Sequence, residues 1–336
     1  MEWLQVVWFF LIAALLAVYS VLDGFDLGAG FWSLFSKGEE DRGRMIGAVG
    51  PFWDGNEVWL LAGGGAIFAA FPEAYATIFS GFYFAFIAVA LALALRAVSI
   101  EFRARHVSRA WRRFWGFAFG ISSALPPVIF GVAVGNVLMG IPLDSGMNYT
   151  GSFFDLLGPY ALLAGLVVLA LFAGHGAAFL SLKLDGAEAE CARRRAAEMG
   201  VACATLLAVY FGAMAILVPE LSANYRANAV LSLAPLLAVG ASVSTAVLSH
   251  LGKKAGAFFS QGLSIFASVA AVAIALFPNV VPTWDPASAG LSVADASSSL
   301  LTLKAMLIIA AIGMPFVVVY HVWIYRAFSS DGGEGQ

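Results

Sequence analysis

Apolar residues fill the chain in long stretches, and short clusters of charge, glycine and proline separate them. About 20 mostly apolar residues, rising 1.5 Å each in a helix, cross the hydrocarbon core of a bilayer. Measured that way, the pattern predicts nine membrane-spanning helices, over 3–33, 51–71, 74–98, 114–139, 156–182, 199–219, 228–250, 257–278 and 302–326. The first is long enough to tilt or to project into water, and Pro72 sits in the tight connection between the second and third. The expected fold class is all-α: one polytopic integral membrane domain spanning 1–336, with no soluble domain left over. No sequence match relates the first four helices to the next four.

Composition supports the membrane reading. Of 336 residues, 61% are hydrophobic and 12% charged, and the mean hydropathy of +0.88 lies well beyond that of a soluble domain. A net charge of -3 implies no nucleic-acid partner. Cys191 and Cys203 are too far apart for a Cys-x-x-Cys motif and have no clustered histidines, so neither a disulfide framework nor a metal site is expected. The first apolar run lacks a basic leader and continues too far for a cleaved signal peptide. Walker A, HExxH and GxSxG motifs are missing from the sequence, so catalysis by this chain unaided is not expected.

Lysine and arginine set the orientation, because they are retained on the cytoplasmic side. All 18 except Arg226 and Lys304 fall in alternate connections or at the C-terminal end, which places the N-terminus outside and the C-terminus in the cytoplasm. The opposite face carries neutral or acidic loops, including "GIPLDSGMNYTGS" and the long "FPNVVPTWDPASAGLSVADASSS", read as surface loops from their Pro, Gly and Ser.

Ionisable groups within the spans are the exceptions to be explained. Such a group at mid-membrane costs about 2.5 to 3.5 kcal/mol on insertion scales, and it usually faces protein or a water-filled cavity. Asp23 and Asp26 lie three residues apart in "VLDGFDLGAGF", and Asp54 and Glu57 open the second helix in "PFWDGNEVWL". With the N-terminus outside, all four acids fall in one cytoplasm-facing layer, among glycines that permit close helix approach. That layer suggests a hydrated entry for protons or cations. Asp54 taken alone is equally a helix cap, whereas a continuous first helix offers no N-terminus for Asp23 and Asp26 to cap.

His175 and His321 lie in the cytoplasmic halves of their helices and are candidate haem ligands, but no His pair repeats along one helix as two stacked haems require. A histidine satisfied by a neighbouring helix is the ordinary alternative. Trp3, Trp8, Trp284 and Trp323 suit an interfacial belt. "FSGFYFAFIAVALALAL" reads as lipid-facing or subunit-facing surface, followed by Arg96, Glu101, Arg103 and Arg105 where the helix leaves the membrane, either as solvated ion pairs or as a subunit contact.

Four stretches taken in order, "VLDGFDLGAG", "PFWDGNEVWLLAGGGAIFAAFPEAYATIFSGFY", "PPVIFGVAVGN" with "YTGSFFDLLGPYALLAG", and "LSVADASSSLLTLKAM", resemble subunit II of the cytochrome bd-type terminal quinol oxidases. The resemblance runs from the first helix to the last, and its most specific part is WDGN-x-VWL. It implies two four-helix bundles with a ninth helix beside them, in a bacterial cytoplasmic membrane. It also implies a complex that oxidises quinol at the outer side and reduces dioxygen to water, drawing protons from the cytoplasm. Two haems b and one haem d are then expected in the partner, subunit I, with no haem in this chain, a quinone bound here as a structural lipid, and small single-helix accessory subunits as further partners.

By the same resemblance Asp54, Asp23 and Asp26 line a proton path toward the subunit interface, with Glu57 standing where some relatives have Gln. The connection "PELSANYRAN" is shorter than in some members. Two other readings stay open: a cation-coupled secondary transporter, against which no repeated pair of interrupted helices is seen, and a purely architectural subunit.

Overall fold

The computed structural model describes residues 1–284 and 290–327, the side chains of 324–327 excepted. The helices in chain order are α1 Trp3–Ser33, α2 Glu39–Val49, α3 Trp53–Ala70, α4 Pro72–Gly81, α5 Tyr83–Arg105, α6 Arg109–Met139, α7 Pro159–Lys183, α8 Gly186–Leu217, α9 Ala223–Ala227, α10 Leu233–His250, α11 Lys254–Leu276 and α12 Leu300–Ala327. Among the described residues, eight helices are long and apolar enough to cross a membrane, and α3 with α4 makes a ninth if that bent pair counts as one span. The all-α polytopic reading therefore holds.

Most boundaries fall near the expected ones; the region 51–105 and the start of α8, at Gly186 instead of 199, do not. α3 stops at Ala70, and α4 departs at 119° to it. Phe71 has left helical geometry, and Pro72 begins the new helix at a position where its missing N–H costs nothing. A second break at Phe82 separates α4 from α5, so the third span begins at Tyr83 rather than 74 and runs on to Arg105. The sequence from 74 to 82 is apolar on both sides of the break, so hydropathy gave no sign of it.

Short α2 was not anticipated. It has three acids in its first turn, where they suit the helix dipole. Met45, Ile46 and Val49 on its other face are buried against Phe25, Phe52 and Phe179.

α7, α8, α10 and α11 form a closed ring in which each packs on two neighbours. α1 packs on α3, α6, α7 and α11 and joins this ring to α3, α5 and α6. Glycine sets the α1–α7 crossing: a Cβ at Gly28 would lie 1.8 Å from the Phe172 carbonyl oxygen, and one at Gly176 would lie 2.2 Å from the Ala29 nitrogen. Helices without side chains at the contact can approach closely and gain dispersion energy that a bilayer does not otherwise supply. α12 lies beside α1 and α3 and is otherwise unburied.

The long connection before α12 is not simply a surface loop. Asn279–Val281 pairs antiparallel with Leu291–Ser292, and Val281, Leu291, Val293 and Ala296 are buried in the cluster around Trp8 and Phe71. Ser298 donates through its backbone N–H to the Ala70 carbonyl (2.8 Å) and through its hydroxyl to that of Ala69 (2.7 Å), which satisfies the C-terminus of α3. Residues 285–289 of this loop lie outside the described residues.

Candidate functional site

Three helices bring charge together inside the protein. Asp23 and Asp26 of α1 are 0% and 1% exposed. Arg96 of α5 reaches them from across the fold: its Nη1 lies 2.8 Å from Asp23 Oδ1 and its Nη2 lies 3.3 Å from Glu57 Oε2 of α3. Asn56 of α3, also buried, donates to Asp26 Oδ2 (2.7 Å) and to the Leu22 carbonyl (3.1 Å). One guanidinium thus bridges two carboxylates, and one carboxamide holds a third. Gly63 faces α1 at the α1–α3 contact, where a Cβ would sit 2.8 Å from Leu16 Cδ2.

The cluster is not fully satisfied by its own hydrogen bonds. Asp26 Oδ1 and Arg96 Nε are buried with no hydrogen bond among the described residues, while the Asp23 oxygens, Arg96 Nη1 and the Tyr19 hydroxyl contact one another without well-directed hydrogen bonds. Native interiors seldom leave polar atoms in that state, and ordered water is the usual remedy.

The four predicted acids therefore separate. Asp23, Asp26 and Glu57 belong to one network, whereas Asp54 lies exposed in the first turn of α3, one turn before Glu57. The Asp54 side chain makes no hydrogen bond among the described residues, and Phe52 rather than Asp54 holds the N-cap position. Arg96 and Asn56 were not anticipated as members of the site. Arg96 had been placed where the third helix leaves the membrane, but it is 1% exposed and sits inside α5. The signal lay in "LALALRAVSI": the insertion cost that singled out the acids applies equally to an arginine in an apolar run.

The two candidate haem ligands stand elsewhere. His175 of α7 is fully buried against α1, with Nε2 3.1 Å from the Val21 carbonyl oxygen and its ring stacked on Phe258 at 4.5 Å. His321 of α12 has Nε2 3.0 Å from Trp59 Nε1 and 3.0 Å from the Gly55 carbonyl oxygen. Axial ligation through Nε2 requires release of Val21 at His175 and breaking of the Trp59 contact at His321, and Nδ1 of His175, though unpaired, is sealed in a ring packed on Phe25 and Phe258. These surroundings do not fit a haem. Among the described residues, no group of three or more His, Cys, Asp or Glu is arranged to hold a metal ion.

A separate apolar cavity of about 390 Å³ lies in the membrane part of the fold, with Phe9, Ile12, Phe86, Phe130, Tyr210 and Ile265 in its wall.

Comparison with known proteins shows the family of the chain and its fold. The family model described as cytochrome bd terminal oxidase subunit II matches residues 4–328. The cytochrome bd-I ubiquinol oxidase subunit 2 of Escherichia coli (strain K12) is 33% identical over 356 residues, covering 96% of this chain and 94% of that protein. The cytochrome bd ubiquinol oxidase subunit 2 of Bacillus subtilis (strain 168) is 36% identical over 323 residues, with the same coverage. A chain in the structure of bd oxidase from Geobacillus thermodenitrificans superposes with a TM-score of 0.81 at 16% identity, covering 97% of this chain and 99% of that one, which shows a shared fold. The chain belongs to the cytochrome bd terminal oxidase subunit II family.

Proposed function

We propose that this chain is the second subunit of a quinol-oxidising, dioxygen-reducing complex of the bacterial cytoplasmic membrane, and that it carries protons from the cytoplasmic face toward a haem-bearing subunit I. Oxygen chemistry in such a complex is supplied by the partner's haems. The work of this chain is to hold and move protons. The observation that carries the reading is the Asp23–Arg96–Glu57 bridge, buried at Asp23 and Arg96 and partly open to solvent at Glu57, with unsatisfied atoms at its buried end.

Two buried carboxylates and a half-buried third surround one buried guanidinium, so acids outnumber bases in the cluster. Asp54 is the exposed port, Glu57 stands one turn further along α3, and Arg96 connects Glu57 to Asp23. Asn56 fixes Asp26 and ties α3 to α1, so that the acids keep their spacing. Water bound to the unsatisfied atoms completes the relay. The apolar cavity suits an isoprenoid tail, consistent with a quinone held as a structural lipid.

The test is quinol-dependent oxygen consumption by the purified complex carrying Asp54→Asn or Glu57→Gln, with haem content measured in the same sample. Lost turnover with intact haems supports proton delivery through these carboxylates. Unchanged turnover in both variants reduces the cluster to architecture.

A further inference from the structure

We propose that the tip of the α5–α6 hairpin is a binding site for the phosphodiester headgroups of anionic phospholipids. Arg105 ends α5, and Arg109, Arg112 and Arg113 occupy the first turns of α6, with His106 in the short connection between them. All five are exposed. None of the four arginines has a carboxylate within ion-pair distance, and Glu101, the nearest acid in sequence, is likewise unpaired among the described residues.

This sets the tip apart from the paired arginines of the same basic face. Arg42 and Arg103 pair with Glu39, Arg44 with Glu188, and Arg193 and Arg194 with Glu190. Lys37, Lys183, Arg195, Lys253 and Lys254 also lack a carboxylate partner among the described residues, but they stand singly or as one adjacent pair, and retention of positive charge on one side of a membrane does not explain why four unpaired arginines gather at this one tip. The first turn of α6 contains no acid. Cations there oppose the helix dipole, and an anion from outside the chain would relieve that opposition.

The tip is also held in shape. Trp111 Nε1 donates to the Phe102 carbonyl (2.7 Å), and Arg112 Nε donates to that of His106 (3.3 Å). Trp115 packs edge-on against Phe102 and Trp111, with ring centroids 5.3 and 5.6 Å away. Indoles of this kind settle at headgroup depth, and guanidinium is a planar, bidentate donor to phosphate oxygens. Four or more cationic side chains beside a membrane exit, framed by aromatic rings and without internal counter-ions, match the charge and depth of lipid phosphates.

The experiment uses the purified two-subunit complex equilibrated with equal amounts of phosphatidylglycerol and phosphatidylcholine, with retained lipid counted by native mass spectrometry. Arg109→Gln with Arg113→Gln should lower the retained ratio of phosphatidylglycerol to phosphatidylcholine on the order of tenfold. Lys253→Gln with Lys254→Gln, which removes the same charge from the α10–α11 turn, should leave the ratio unchanged. An equal fall in both variants, no fall in either, or loss of a polypeptide instead of lipid overturns the proposal. Because the arginine variant can fail to assemble, the unaltered complex is also compared by amide hydrogen exchange in nanodiscs of the two lipids. Slower exchange over residues 102–113 in phosphatidylglycerol is expected, and equal exchange overturns the site.

Discussion

The Arg96 guanidinium and the Asp23 carboxylate lie 2.8 Å apart with both side chains shut off from solvent, which ties α5 to α1 through a buried ion pair. Removing one partner of such a pair leaves an uncompensated charge, at about 3–5 kcal/mol in water-soluble proteins. Arg96→Gln is therefore expected to lower the thermal midpoint of the purified complex strongly. Adding Asp23→Asn should restore much of the loss. Additive effects in this double-mutant cycle would show that the pair does not interact energetically.

Two helical glycines should respond to alanine with opposite signs. Gly28→Ala puts a methyl group into the Phe172 backbone, and overpacking of this kind costs about 1–3 kcal/mol or more. Gly212 of α8 has open space at the same position, so alanine there should be neutral or stabilising by about 0.5–1 kcal/mol. Yield of assembled complex and its melting temperature distinguish the two, and equal behaviour would contradict the described α1–α7 crossing.

α12 is fastened near its two ends by indoles. Trp8 Nε1 donates to the Leu303 carbonyl (2.9 Å), and Trp59 Nε1 donates to His321 Nε2 (3.0 Å). Trp59→Phe removes the second tie while keeping an aromatic ring. Amide hydrogen exchange in the C-terminal half of α12 should then accelerate several-fold, corresponding to about 1 kcal/mol for a lost hydrogen bond, while the Trp8 end remains protected.

The connection between α6 and α7 should loosen in acid. Hydrogen bonds from the Ser152 N–H (2.7 Å) and hydroxyl (2.9 Å) hold the Asp155 carboxyl below its ordinary value, and those from the Asn148 and Gly146 N–H groups do the same for Asp144. A carboxylate with a depressed folded pKa contributes stability that is fully present above its unfolded value near 3.8 and is lost as pH falls through the lower folded value. Proteolytic resistance of residues 140–158 should hold at neutral pH and decline below about pH 4. Asp155→Asn should remove part of that pH dependence; a pH-independent loop in the parent chain would contradict this account.

The membrane spans were legible because lipid imposes a length and a composition that few other environments impose. The acids were legible for the same reason, since each breaks an apolar pattern at a stated cost. What the pattern concealed was partnership. Arg96 lies seventy-three positions from Asp23, and nothing in local periodicity pairs them. Asn56, uncharged and flanked by acids, looks like a helix-start residue until the Leu22 carbonyl and Asp26 are seen beside it. The breaks at Phe71 and Phe82 were hidden because both sides are equally oily, and only Pro72 marked the first. α2 escaped notice because eleven residues with a few apolar positions fall below any spanning threshold.

The adjacent carbonyls of Val21 and Leu22 each accept a side-chain hydrogen bond, from His175 of α7 and from Asn56 of α3. These two peptide units sit in the middle of α1, between the closed ring of helices and the charged cluster. A slide of α1 along its axis, or a twist by one residue, would break both contacts at once. α1 is consequently a fixed axle of the subunit, cross-pinned from two sides, whereas α12 is held to the rest by far fewer ties.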